Sequence, residues 1–220
     1  SHALLRLMEG ATDLPALPGI YATLMAALKS PDSNLREIAS ILSRNAAMAD
    51  TMLRLVNSAY VMYLESIQQA VAYLGAEAIS AVALTSALFD LSHAAPDPRF
   101  DVQAAYEHSL AVGATAGPWI AKTTHDRKLA EEATMAGMTH DIGKLVFLRN
   151  QPDAWFEALH LAEQRNLPPH AAEREIFGIT HAEVGAYLLN QWGVADDIVE
   201  AVAYHHHPDQ RIVREHYNLG

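Results

Sequence analysis

The chain of 220 residues contains no cysteine. This removes disulfide frameworks, thiolate zinc sites, iron–sulfur clusters and thiol nucleophiles together, and it fits a reducing, cytoplasmic setting. Positive charge is also scarce: 15 Lys and Arg stand against 26 Asp and Glu, a net charge of −11. A surface of that sign cannot neutralise a run of phosphates, so direct nucleic-acid binding is not expected. Long apolar runs are missing as well. The stretch from Ala78 to Phe89 covers twelve residues and already contains Ser80, Thr85 and Ser86, so no membrane span is expected. The opening Ser-His-Ala has neither a basic n-region nor an apolar h-region, which argues against a signal peptide. It also lacks an initiator Met, and the chain is read as a piece of a longer protein.

Strand-type alternation and hairpin signals are hard to find, and there is no internal repeat or low-complexity segment. Alanine, by contrast, occurs 39 times, with frequent Leu and Met. This composition favours an all-α, multi-helix bundle. Asn34 followed by Glu37 resembles a capping box that opens a helix through Ile38, Ile41 and Leu42. Met48, Met52, Leu55 and Val56 keep helical spacing. Gly75 is expected to close a helix bearing Ile67, Val71 and Leu74 as a C′ glycine. Residues 76–91 are apolar nearly all round, which predicts a central buried helix. After the turn-rich His93-Ala-Ala-Pro-Asp-Pro98 come helical patterns over about 101–122 and 128–149, then shorter helices punctuated by Pro152 and Pro168.

The break near residue 96 also divides the chemistry. Only two of the 12 histidines, His2 and His93, precede it. We therefore expect an N-terminal helical lobe over residues 1–100 and a second helical lobe over 101–220 that carries the polar site, packed as one continuous body.

The central feature is Gly137-Met-Thr-His140-Asp141-Ile-Gly-Lys144. As neighbours on one helix, His140 and Asp141 would lie about 100° apart on the helical wheel and could aim into one cavity. A neutral imidazole and a carboxylate suit Zn, Mn or Fe. Lys144 follows His140 by four residues and Asp141 by three, on the same face, where a cation can hold a phosphate oxygen. Gly137 and Gly143 cost helix propensity, about 1 kcal/mol each, a cost tolerated where backbones pass closely. The surrounding Met135, Met138, Ile142, Leu145, Val146 and Phe147 are apolar, and charged groups in such a setting need partners.

Further histidines flank this segment. Thr180 and Glu183 form a capping-box pattern that puts His181 in a first helical turn and gives Glu183 a structural task. Asp196 or Asp197 can cap a helix that Pro208 terminates, with His205 and His206 at its C-terminal end and His207 facing solvent. His108 sits in a helix with Leu110, Val112 and Ala114, where a histidine on its own would be an ordinary boundary residue. Glu157-Ala-Leu-His160 is a single Glu-x-x-His unit, too little for a ferritin-like di-metal bundle. There is no His-Glu-x-x-His, P-loop, Gly-x-Gly-x-x-Gly or Gly-x-Ser-x-Gly, and no organic cofactor is expected.

The ordered series His108, His140-Asp141-x-Gly-Lys144, His181 and His205-His206 resembles the HD superfamily of metal-dependent phosphohydrolases. It resembles more closely the HDOD branch, the HD-related output domains of bacterial signalling proteins. Leu14-Pro-Ala-Leu-Pro18, Asn57-Ser58-Ala59 and Ala70-Val-Ala-Tyr-Leu74-Gly75 are similar to motifs of that branch, as are Trp192 and the His-His-Pro end, over about residues 12–210. The resemblance implies an HD-like second lobe. It implies His108, His140 and Asp141 as ligands of a core metal, and His181, His205 and His206 as ligands of a second. Asp141 and Lys144 would be the catalytic pair, with Lys144 contacting phosphate or bridging solvent. One or two divalent ions (Fe, Mn, Zn or Mg) are implied, and in such sites paired ions bind a phosphate and activate a water.

The chain departs from the superfamily pattern. The closing Asp is not found, since Asp209 follows the His pair too soon. Ala104 stands one turn before His108, where two-metal relatives carry Glu, and the Gly-Tyr-Pro signature is absent. Three functions follow as expectations. The first is a signalling output module, downstream of a linked receiver or sensor domain, that binds a protein partner or a small ligand. The second is an active phosphodiesterase acting on a nucleotide or cyclic dinucleotide. The third is a structural adaptor with a vestigial cavity.

Overall fold

The computed structural model describes residues 19–30, 34–59, 66–93 and 97–209, and among them every regular element is a helix. The first five are α1 (Gly19–Lys29), α2 (Leu35–Ser43), α3 (Ala46–Ala59), α4 (Ile67–Tyr73) and α5 (Ala76–His93). Then come α6 (Val102–Thr124), α7 (Arg127–Thr139), α8 (Ile142–Asn150) and α9 (Pro152–Arg165). The last three are α10 (Pro169–Phe177), α11 (His181–Gln191) and α12 (Asp196–Ala203). The Leu14–Pro18 motif, His2, His216 and the residues after Asp209 lie outside the described part, as do the side chains of Ser58 and Ala59.

Local sequence explains most of the boundaries. The Asn34 side chain accepts from the backbone N–H of Arg36 and Glu37, and α2 then buries Ile38, Ile41 and Leu42, each contributing about 1.5–3 kcal/mol of hydrophobic stabilisation. Asp101 and Asp126 cap α6 and α7 in the same way, accepting from Ala104 and Leu129. Pro152 and Pro169 stand in the first turns of α9 and α10, where a missing N–H costs nothing. Gly178, at φ 68°, ends α10 in the left-handed region that favours glycine.

The expected all-round apolar helix is α5. Ala81, Val82, Ala83, Leu84 and Thr85 are fully buried there, and α1, α3, α6, α7 and α8 pack around it. The main core runs from Tyr21 on α1 to Val202 on α12, so both halves of the chain share it. Across the halves, Thr51 on α3 is hydrogen-bonded to Tyr106 on α6, and within the first half Ser86 Oγ on α5 donates to Thr51 Oγ1 at 3.3 Å. Helices α6 and α7 pack closely. A Cβ on Gly137 would lie 2.9 Å from the Gly113 Cα, so these two glycines let the backbones meet.

Three expectations are corrected. The pattern over 128–149 is two helices, because α7 stops at Thr139 and α8 starts at Ile142. Asp141 sits between them at φ −101°, ψ 3°, a turn conformation, so His140 and Asp141 flank a helix junction. Gly75 has no positive φ; α4 ends instead through Leu74 in extended backbone. Asp196 and Asp197 occupy the first turn of α12, whose N-cap is Ala195, and their charge complements the helix dipole without capping it. That helix ends at Ala203, well before Pro208.

Candidate metal centre

Asp141 is the hub. Its Oδ2 lies 2.6 Å from Lys144 Nζ, 3.3 Å from His140 Nε2 and 3.8 Å from His108 Nε2. Its Oδ1 lies 3.2 Å from His181 Nε2 and 3.9 Å from His205 Nε2. His206 Nε2 is 3.0 Å from His181 Nε2. All seven site residues named from the sequence therefore converge, although they come from five places in the fold. His108 is on α6, and His140 and Asp141 form the α7–α8 junction. Lys144 is in the first turn of α8, His181 opens α11, and His205 and His206 form the turn after α12.

The local backbone dictates this convergence. The Thr180–Glu183 capping box forms as expected and fixes the start of α11. Gly143 is required by the approach of α8 to α11, since a Cβ there would lie 2.0 Å from the His181 carbonyl oxygen. The junction at His140-Asp141 turns both side chains toward α11 and α12. His207 is exposed, as expected.

The far nitrogens of the rings are tied back to the protein. His140 Nδ1 is 2.7 Å from the Gly137 carbonyl oxygen, and His205 Nδ1 is 2.7 Å from that of Val202. His181 Nδ1 is 2.7 Å from Glu173 Oε2 and 2.9 Å from Oε1. A carbonyl can only accept, so Nδ1 of His140 and of His205 donates to it, which leaves each Nε2 facing the pocket. Two buried atoms there, Asp141 Oδ1 and His205 Nε2, have no hydrogen-bond partner. Buried polar atoms without partners are costly, and acceptors that face one another across 3–4 Å are complementary to a cation between them.

Electrostatics act in the same direction. Burial pushes the Asp141 carboxyl up, but contacts with His140 and His181 and the Lys144 charge outweigh this and hold it well below the usual carboxylate range. Burial pushes His205 down to about 4. His206 is pushed down to about 3 by burial and by the neighbouring His205 and His181. Both rings are thus neutral near pH 7, the form a metal needs. Burial also lowers His181, but Asp141 and Glu173 on either side raise it overall.

Two groups could each hold an ion and adjoin at Asp141: His108, His140 and Asp141 in one, and His181, His205 and His206 in the other, each with candidate ligand atoms within 4.8 Å of one another. His108 and His206 are exposed, so the site opens to solvent through them. On one flank, a cavity of about 810 Å³ with walls that include Trp119, Ile120 and Ala201 reaches His140 and His205. Asp141 is the only carboxylate in either group among the described residues, and Asp209 is exposed outside both.

Sequence reasoning missed two residues. Glu173 has no exposed surface, and its Oε2 also accepts from the His181 backbone N–H at 2.8 Å. His170 stacks on His206 with ring centroids 4.1 Å apart. Their only signal was a spacing of three within the nine-residue helix delimited by Pro169 and Gly178, which puts both on one face.

The crystal structure of an HDOD domain protein of unknown function from Geobacter sulfurreducens is similar, with a TM-score of 0.73 and 26% identity over 96% of this chain and 70% of that one. A phosphohydrolase candidate from Shewanella amazonensis SB2B is also similar, with a TM-score of 0.71 and 27% identity over 95% and 73% of the two chains. Among curated relatives, an uncharacterized protein of Treponema pallidum is 26% identical over 199 residues, 88% of this chain and 38% of its own length. Ribonuclease Y of Thermus thermophilus is 31% identical over 103 residues, 47% of this chain and 13% of the enzyme. The chain thus spans well under half the length of the curated relatives it matches. The HDOD domain family model matches residues 14–208, almost the whole described fold including every site residue, and the chain belongs to the HDOD domain family.

Proposed function

We propose that this chain is a signal-transduction output module whose His/Asp pocket binds divalent metal, and that its two helical lobes work as one continuous module. The observation that carries this reading is the buried pair Asp141 Oδ1 and His205 Nε2, 3.9 Å apart with no hydrogen bond between them, within a ring of imidazole Nε2 atoms. His108, His140 and Asp141 would hold one ion, and His181, His205 and His206 a second; Fe, Mn, Zn and Mg are the candidates. Such an ion supplies Lewis acidity toward a phosphate or carboxylate group. In this reading the module sits beside a receiver or sensor domain of a longer, cytoplasmic chain and responds to a protein partner or an anionic ligand such as a nucleotide.

A second reading, phosphodiester hydrolysis, is favoured by Lys144. Its Nζ pairs with Asp141 Oδ2 at 2.6 Å and is part-exposed, placed to orient an oxygen of an incoming phosphate. The similarity to ribonuclease Y, an enzyme named for cleaving RNA, supports the same reading. Against it stand Ala104, exposed one turn before His108, and the single carboxylate of the site.

One experiment separates the readings. The protein is purified without a His tag, its bound metals are measured by mass spectrometry, and hydrolysis is assayed on a nucleotide and cyclic-dinucleotide panel with added Mn or Fe. Bound metal that is lost in a His140→Ala, Asp141→Ala variant, without turnover, is the expected result. Turnover that disappears in Lys144→Ala would establish the enzyme reading. No metal after any reconstitution would overturn both.

A further inference from the structure

Helix α10 contributes no ligand, yet two of its side chains hold ligands of one group. Glu173 is fully buried and spends its hydrogen bonds on a single residue: Oε1 and Oε2 face His181 Nδ1 at 2.9 and 2.7 Å, and Oε2 accepts the His181 backbone N–H at 2.8 Å. A carboxylate there fixes both the ring plane and the proton on Nδ1, leaving Nε2 for the pocket. One turn earlier on the same face, His170 stacks on His206 at 4.1 Å between centroids and 21° between planes. The other group is held differently. His140 is oriented by the Gly137 carbonyl of its own helix, and Asp141 by Lys144. Among the described residues, the contacts of Glu173 and His170 run to His181, His206 and His207, with no hydrogen bond, ion pair or ring contact to His108, His140 or Asp141.

Burying a carboxylate is costly and is repaid only through its partner. The Thr180–Glu183 capping box pairs the N–H groups of Thr180 and Glu183, and Glu173 adds that of His181, but helix capping alone does not call for its two contacts with the ring Nδ1. We propose that α10 is a positioning element dedicated to the His181, His205 and His206 ion site. Glu173 sets the tautomer and plane of His181, and His170 holds the ring of His206, so loss of either acts first on that ion position although Asp141 adjoins both groups. This inference rests on the metal-binding reading above.

The test uses the untagged protein stripped of metal and titrated with Co²⁺, with stoichiometry from calorimetry and coordination from visible absorption. Wild type should bind two ions in distinguishable steps. Glu173→Gln should weaken one step about 10–100-fold and leave the other unchanged. His170→Ala should weaken the same step, and His170→Phe, which keeps a stacked ring, should restore it. Circular dichroism and the unaffected step report that the fold is intact. Equal weakening of both steps, or no change in either, overturns the inference. A metal-free readout distinguishes its failure from that of the underlying reading. In NMR spectra of the stripped protein, the downfield Nδ1–H proton of His181 should be present in wild type and lost in Glu173→Ala. If wild type binds no ion, the metal-binding reading fails, and persistence of that proton in Glu173→Ala would independently overturn the positioning role.

Discussion

Asp141 concentrates the chemistry of the pocket because it is short, sits at a helix junction and is surrounded by donors from four segments. Around it the protonation states differ, and this has a measurable consequence for the metal-free protein. Burial lowers His205 from its ordinary 6.5 to about 4. Between those values the unfolded chain binds a proton that the folded chain does not, so this residue makes stability fall as pH falls from 6.5 to 4. His181 acts oppositely: burial lowers it, its two carboxylate neighbours raise it overall, and its contribution is present below 6.5 and lost as pH rises through its folded value. Replacing His205 with Asn should flatten the decline in urea midpoint between pH 6.5 and 4 in stripped protein; an unchanged decline would show that His205 is not buried neutral. At this scale the sequence is informative about which residues gather, since all of His108, His140, Asp141, Lys144, His181, His205 and His206 meet. It was silent about Glu173 and His170, because a residue that acts by holding another is recognisable only once the two are neighbours in space.

At the scale of elements, periodicity and caps were legible where local energetics decide, as for α2, α5 and α11. They failed where tertiary packing decides. No proline separates Thr139 from Ile142, and the residues there tolerate helix, yet the chain breaks so that α8 can turn onto α11. Gly143 records that contact. Its replacement by Ala would put a methyl group 2.0 Å from the His181 carbonyl oxygen, and the backbone cannot yield as a side chain would. Gly143→Ala should therefore cost about 1–3 kcal/mol in urea unfolding and shift His181 away from Asp141, weakening metal binding. Gly193→Ala serves as the contrast. Nothing crowds its Cβ, so its cost comes only from the positive φ of 72°, and metal affinity should stay unchanged. Equal metal affinities in wild type and Gly143→Ala would show that the α8–α11 approach does not govern the site.

Across the whole molecule, the ligands lie up to 98 positions apart in sequence and are united by a core that runs from α1 to α12. Residue pattern alone could raise each histidine as a candidate but could not decide which would meet; the ordered resemblance to the HDOD family proposed a set, and the fold brings the members of that set together. The central claim is that this geometry is an ion site. Crystals of untagged, stripped protein soaked in Mn²⁺ and measured near the manganese absorption edge test it most directly. The account predicts anomalous difference peaks among the Nε2 atoms and Asp141 oxygens, one beside His108, His140 and Asp141 and one beside His181, His205 and His206. An empty pocket at saturating Mn²⁺, or ions only at surface carboxylates elsewhere, would contradict it.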